Sequence, residues 1–173
     1  MTDATLLPIL LVPDPRLRAK AKPVAAGDDV RALSETMLAT MYAAPGIGLA
    51  APQVGEMRRL VVIDLQRDDT RSPIVLVNPE IIAESGEQAT REEGCLSLPG
   101  QYAEVTRPAR VKVRYRDLTG AKREIEGDGL LAACLQHEID HLNGVLFVDY
   151  LSALKRNMLL RKLAKDLKSK ERE

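Results

Sequence analysis

The chain holds only two histidines, His137 and His141, four positions apart in the run Leu135-Gln136-His137-Glu138-Ile139-Asp140-His141. An HExxH run constrains the backbone strongly. Four residues of α-helix rise about 6 Å and make just over one turn, so both imidazoles leave one face and can chelate a single ion. Glu138 then reaches the open side of that ion. A metal held by few protein ligands keeps a water, lowers its pKa toward neutrality and needs a nearby carboxylate to carry protons. The pattern predicts a metal-dependent hydrolase. The flanking residues predict the helix itself: Asp128 as N-cap, then Leu131, Leu135, Ile139 and Leu142 at helical spacing, and Asn143-Gly144 as the stop. The leucine stripe lies on a different face from the histidines, so one side anchors the helix and the other presents ligands. If the motif were accidental, the histidines would sit either on the surface or in the core, where two polar rings are harder to satisfy.

Two histidines do not complete a site, and the chain has two cysteines to offer, Cys95 and Cys134. Both together with the histidines would make a closed, structural zinc site. Against this, Cys134 and His141 are seven residues apart, about 10 Å along a helix axis, and a short thiol side chain cannot comfortably share an ion centred between the histidines. Cys134 reads better as a small apolar neighbour of the site. Cys95 lies in Glu92-Glu93-Gly94-Cys95-Leu96-Ser97-Leu98-Pro99-Gly100, where Gly94 permits close backbone approach and Pro99-Gly100 is expected to end the segment. On local sequence alone Cys95 is either a buried thiol in a strand or a ligand. A third block, Gly46-Ile47-Gly48-Leu49-Ala50-Ala51-Pro52-Gln53-Val54-Gly55, is by itself only a glycine-punctuated loop.

Taken in order, these three blocks resemble those of the bacterial-type peptide deformylases, metalloenzymes that remove the formyl group from the initiator methionine of nascent proteins. The resemblance extends to Pro13-Asp14-Pro15-Arg16-Leu17-Arg18, Ala21-Lys22-Pro23-Val24 and Asp149-Tyr150-Leu151-Ser152, and so spans most of the chain. It implies Cys95, His137 and His141 as metal ligands with water in the fourth position. The implied metal is Fe(2+) in vivo, with Zn(2+), Ni(2+) or Co(2+) also able to occupy one thiolate and two imidazoles. It further implies that Glu138 takes a proton from the metal-bound water, that the formyl carbon is attacked, and that the Gln53 amide and the Leu96 N–H stabilise the oxyanion. Glu138 would return the proton to the departing amine, leaving formate. An extended N-formylmethionyl peptide would pair with backbone near Ile47, Gly48 and Gly94. The methionine pocket would be walled by Ile47, Leu130, Ala133, Cys134 and the His137 ring, with Arg91 at a wall position where some relatives carry an aliphatic residue.

Composition is compatible with this reading. With 173 residues, 45% of them hydrophobic, the chain can bury one sizeable core, and a single catalytic domain over 1–173 is expected. A net charge of zero gives no global electrostatic case for DNA or an anionic membrane. Neither a spanning segment nor a signal peptide is evident, and two cysteines with one needed reduced fit a reducing compartment, so a bacterial cytoplasmic location is expected.

Residues near Asp29 to Ala43 read as a helix packed through Val30, Leu33, Met37, Leu38 and Met41, broken by Pro45-Gly46. Short β-rich runs follow at 60–64, 74–77 and 81–83, and residues 110–115 alternate cleanly, turning at 118–120 toward a partner at 122–126. The expected fold is α+β: mixed or antiparallel sheets packed around a central HExxH helix, with Cys95 delivered from a strand or its edge. Residues 152–173 carry eight Lys or Arg against three Asp or Glu, with Leu154, Leu159, Leu163 and Leu167 near helical spacing. They read as a basic terminal helix whose leucines dock on the domain. The functional alternative, drawn from bacterial relatives, is contact with ribosomal RNA, which salt should weaken. Two other functions fit parts of the pattern: a different HExxH amidase or peptidase, and a metal-stabilised ribosome-binding protein with no role for Glu138.

Overall fold

The computed structural model describes residues 5–172. Its elements are α1 (Arg31–Ala43), β1 (Gly48–Ala50), β2 (Leu60–Ile63), β3 (Ile74–Glu84), β4 (Gln88–Cys95), β5 (Leu98–Pro108), β6 (Arg110–Arg116), β7 (Lys122–Asp128), α2 (Gly129–Leu142) and α3 (Ala153–Glu171). Five strands form one antiparallel sheet in the order β1-β2-β3-β6-β7, and β4 and β5 form a separate two-stranded sheet. The fold is α+β with a C-terminal helix. All pairs of named strands are antiparallel, and the parallel contact is an isolated bridge between Lys22 and Arg58, so among the described residues the expected mixing of strand directions is confined to that bridge.

β2 shows how the sheet is sandwiched. Successive side chains on a strand point to opposite faces. Val61 and Ile63 pack with Leu135, Ile139 and Leu142 of α2, whereas Leu60 and Val62 pack with Met37 and Met41 of α1. A four-residue apolar run is therefore buried on both faces, as an interior strand between two helices requires. α1 begins at Arg31, two residues later than its pattern suggested, because the Asp29 carboxylate accepts from the Arg31 N–H and caps from outside.

Two sequence expectations are corrected in the strands. The runs at 74–77 and 81–83 are one strand, β3, joined through an irregularity between Val77 and Glu80. Asn78 takes φ +51° there, and its side-chain amide bonds to both the N–H and the carbonyl of Val24. Asparagine tolerates this region, and a bulge accommodates Pro79 without a ladder N–H. Similarly, Pro99-Gly100 does not end the Cys95 segment. The chain reverses at Leu96-Ser97, and Pro99 and Gly100 lie inside β5 where the register passes from Gly94↔Tyr102 to Cys95↔Leu98. Gly100 supplies the φ of +76° that the bulge needs.

α2 starts at Asp128 as expected, although the Asp128 side chain makes no capping bond. It stops as expected: Gly144 takes φ +73° and the Val145 N–H bonds the Asp140 carbonyl at 2.9 Å. The helix is buried nearly all round, His137, Glu138 and His141 included, rather than anchored on one face. Side chains of the β4–β5 hairpin, Glu93, Cys95 and Arg107, reach the ligand side of the helix, meeting His137, His141 and Asp140. α3 docks through Leu163, with Leu159 and Leu167 partly buried, but Leu154 does not dock and stays 71% exposed. No described helix is long and apolar enough to cross a membrane.

Candidate active site

Three segments converge at one end of α2. The helix contributes His137, Glu138 and His141; the end of β4 contributes Cys95; β1 and the 3-10 turn Ala51–Val54 behind it contribute Gly48 and Gln53. The possible ligand atoms of Cys95, His137 and His141 all lie within 4.8 Å of one another, with Cys95 Sγ 3.3 Å from His141 Nε2. Cys134 is not in this group. Its thiol is buried near the Ile47 carbonyl, and burial pushes its pKa well up, with the Glu138 charge adding to the shift. A closed site of two cysteines and two histidines is therefore not formed.

The donor set suits a divalent cation. His137 Nδ1 lies 3.0 Å from Glu93 Oε1, and a carboxylate can only accept, so Nδ1 carries the proton and Nε2 keeps a lone pair for the ion. Glu93 is in turn gripped by Arg107, whose Nε and Nη2 donate at 2.7 and 2.9 Å, and Arg107 Nη1 donates to Asp140 at 2.8 Å. Tyr150 closes the chain, its hydroxyl donating to Asp140 with its ring beneath the guanidinium. Burial alone would raise Glu93, but the bonds from His137 and Arg107 outweigh it and hold the carboxyl below its ordinary value.

Burial would also lower His137, yet the Glu138 charge and the bonds to Cys95 and Glu93 raise it well above the usual range. His141 is depressed, by burial first and then by His137. Without a cation, the pair holds its proton on His137. Glu138 is 4% exposed, its Oε1 has no partner among the described residues, and burial pushes its carboxyl up to about 7. An orphaned buried carboxylate beside three converging soft and borderline donors is what a bound cation and its water would satisfy.

These groups open onto a cleft of about 490 Å³, within the range of small-molecule sites. Its lining includes Ile47, Gly48, Gln53, Arg91, Gly94, Cys95, Leu96, Leu130, Ala133, Cys134, His137 and Glu138, so all the sequence-derived residues except His141 face one space. Arg91 and Leu130 sit at its exposed rim. Gly48 is required by close approach: a Cβ there would lie 2.5 Å from Glu138 Oε2 and 2.9 Å from Cys134 Sγ. The Gln53 side chain is tied at both ends, Oε1 accepting from the Ala50 N–H at 3.0 Å and Nε2 donating to Ser97 Oγ at 3.1 Å.

Sequence reasoning missed Glu93, Arg107, Asp140, Tyr150 and Ser97. One signal was available: inward positions of β5 alternate as Gln101, Ala103, Val105 and Arg107, which puts an arginine on a core face. Which of the 25 acidic residues would meet it was not readable.

The polypeptide deformylase family model matches residues 6–157. A peptide deformylase of Rhizobium meliloti is 51% identical over 168 residues, covering 96% of this chain and 97% of the relative. One from Mesorhizobium japonicum is 54% identical over 165 residues, covering 94% of each. The crystal structure of a peptide deformylase from Legionella pneumophila superposes with a TM-score of 0.91 at 51% identity, covering 98% of this chain and 99% of that one. Sequence, fold and site geometry agree, and the chain belongs to the polypeptide deformylase family.

Proposed function

We propose that this enzyme removes the formyl group from N-formylmethionyl peptides, with α2 as its metal-ligand helix. The observation that carries the reading is the buried Glu138 Oε1, without a hydrogen-bond partner among the described residues, in a cleft lined by Cys95 and His137, whose possible ligand atoms also converge with those of His141. Those three residues would hold a divalent cation, which supplies Lewis acidity and lowers the pKa of water toward neutrality. Iron(II) is the proposed native ion on the family resemblance; one thiolate and two neutral imidazoles suit it, and suit zinc, nickel or cobalt equally.

Glu138, poised near neutrality, accepts the proton of the attacking water and returns it to the amine as the C–N bond breaks, releasing formate and a free N-terminus. Negative charge grows on the formyl oxygen at the Cys95 edge of the cleft, where the Gln53 amide and the Leu96 N–H are the proposed donors. β1 and β4 are each at the edge of their sheet, which supports an extended peptide lying between them against Ile47, Gly48 and Gly94. The methionine side chain would enter between Ile47, Leu130, Ala133 and Cys134, with Arg91 at the rim. We treat residues 1–173 as one catalytic unit, working in a bacterial cytoplasm. Ribosome contact through the eight basic residues of 152–173 also belongs to this proposal; their charge supports it.

The test is formate release from an N-formylmethionyl peptide by iron(II)-loaded protein prepared without oxygen, beside the N-acetyl peptide and Glu138→Gln. Formate is expected from the formyl substrate alone and is lost in Glu138→Gln with metal retained. Absence of release from a protein shown to carry its ion, or equal turnover of the acetyl peptide, refutes the assignment.

A further inference from the structure

Ser97 has no exposed surface, and its hydroxyl stands 3.1 Å from Gln53 Nε2, across the two-residue turn that follows Cys95. A buried hydroxyl is retained where it has a hydrogen-bonding task. The Gln53 amide has four bonding directions. Its oxygen takes the Ala50 N–H at 3.0 Å, which sets which end of the amide is which. One N–H goes to Ser97 Oγ, and the other faces Cys95 Sγ at 3.5 Å, within hydrogen-bonding range of a sulfur acceptor. The amide is thus pinned through its oxygen and one N–H, and its remaining N–H lies on the Cys95 side, where Gln53 and Cys95 both line the cleft.

The backbones beneath these side chains are held together as well. The N-terminal arm donates from Leu10 N–H to the Gln53 carbonyl at 2.7 Å and from Val12 N–H to the Ser97 carbonyl at 3.0 Å, so one extended segment straps the 3-10 turn to the β4–β5 turn. Donors preorganised toward developing charge are worth more than donors that must rotate into place.

We infer that Ser97 is a positioning residue: its hydroxyl, on a turn strapped to the Gln53 segment by the N-terminal arm, locks the Gln53 amide so that its remaining N–H meets the oxyanion. This rests on the proposed role of Gln53. Ser97 touches no reacting atom and acts only through that amide.

The test is a double-mutant cycle of Ser97→Ala and Gln53→Ala on the metal-loaded enzyme, with hydrogen exchange of the Gln53 side-chain amide followed by NMR in the metal-free protein. Ser97→Ala should lower kcat about ten-fold with KM nearly unchanged, a smaller loss than the roughly hundred-fold of deleting a donor outright. In the Gln53→Ala background it should change kcat by less than about two-fold. The Gln53 amide protons should exchange faster in Ser97→Ala, a change independent of the metal. If Gln53→Ala is severely impaired but Ser97→Ala lowers kcat by the same factor in both backgrounds, or leaves amide exchange unchanged, the positioning role is overturned. If Gln53→Ala itself keeps full kcat, the donor assignment to Gln53 fails first and takes this inference with it.

Discussion

Replacing Arg107 by methionine tests the argument that His137 is oriented through a buried ion network. Arg107 is 5% exposed and makes three charge-assisted bonds of 2.7 to 2.9 Å, two to Glu93 and one to Asp140. Methionine keeps much of the apolar bulk but leaves Glu93, 8% exposed, as a carboxylate with only His137 for company. Breaking a buried pair from one side costs about 3–5 kcal/mol. For a chain of this size that corresponds to a fall in Tm of roughly 6–20 °C. The sign of the pH dependence is also set. In the parent, Glu93 is held below its ordinary value of 4.5, so its contribution is present above that pH and is lost as pH falls through the lower folded value. In Arg107→Met burial dominates and raises Glu93, so the penalty is full at neutral pH and is relieved as the carboxyl protonates. The deficit should therefore narrow toward about pH 4–5. Urea unfolding of the metal-free protein between acid and neutral pH measures this, and chelator competition should show metal affinity weakened about 10–100-fold. Glu93→Gln with Arg107→Met should recover part of the stability, because the buried carboxylate left without its guanidinium at position 93 is then gone. A loss below about 1 kcal/mol with unchanged metal affinity would refute the reasoning.

Gly48→Ala places a methyl 2.5 Å from Glu138 Oε2, so the carboxylate must move: kcat should fall about ten-fold or more while the three ligands still bind metal, and unchanged kcat would show that Glu138 does not work from this position. The pH dependence follows from Glu138, which must be ionised to accept a proton and is pushed up to about 7 by burial. A cation beside it favours the anion, so kcat/KM of the loaded enzyme should rise with pH along an acid limb centred below 7, and a limb well above 7 would count against Glu138 as the base.

The ligand helix was legible because its chemistry is local. His137 and His141 meet on one face through a single helical turn, and the Gly144 stop likewise depends on φ at one residue. Cys95 and the Gly46–Gly55 block were legible as residue types, and resemblance to a family joined them to the helix. The strand errors have another cause. Pro99-Gly100 and Asn78-Pro79 look like ends in isolation, but each is absorbed as a bulge once a partner strand supplies the remaining ladder.

The sequence by itself determined the His137-Glu138-His141 pattern and the helix that carries it, since side-chain chemistry and helical spacing are intrinsic to the chain, and it offered Cys95 as a residue type. Only the tertiary structure decided that Glu93 meets His137, that Arg107 sits between Glu93 and Asp140, and that Ser97 holds Gln53. Those meetings join residues 14 to 44 positions apart, and they depend on strand register and on how the β4–β5 hairpin closes over α2. A one-residue slip in that register would turn Arg107 and Glu93 to the opposite face, and burial of Glu93, Val105 and Arg107 on the inward face of the hairpin opposes the slip.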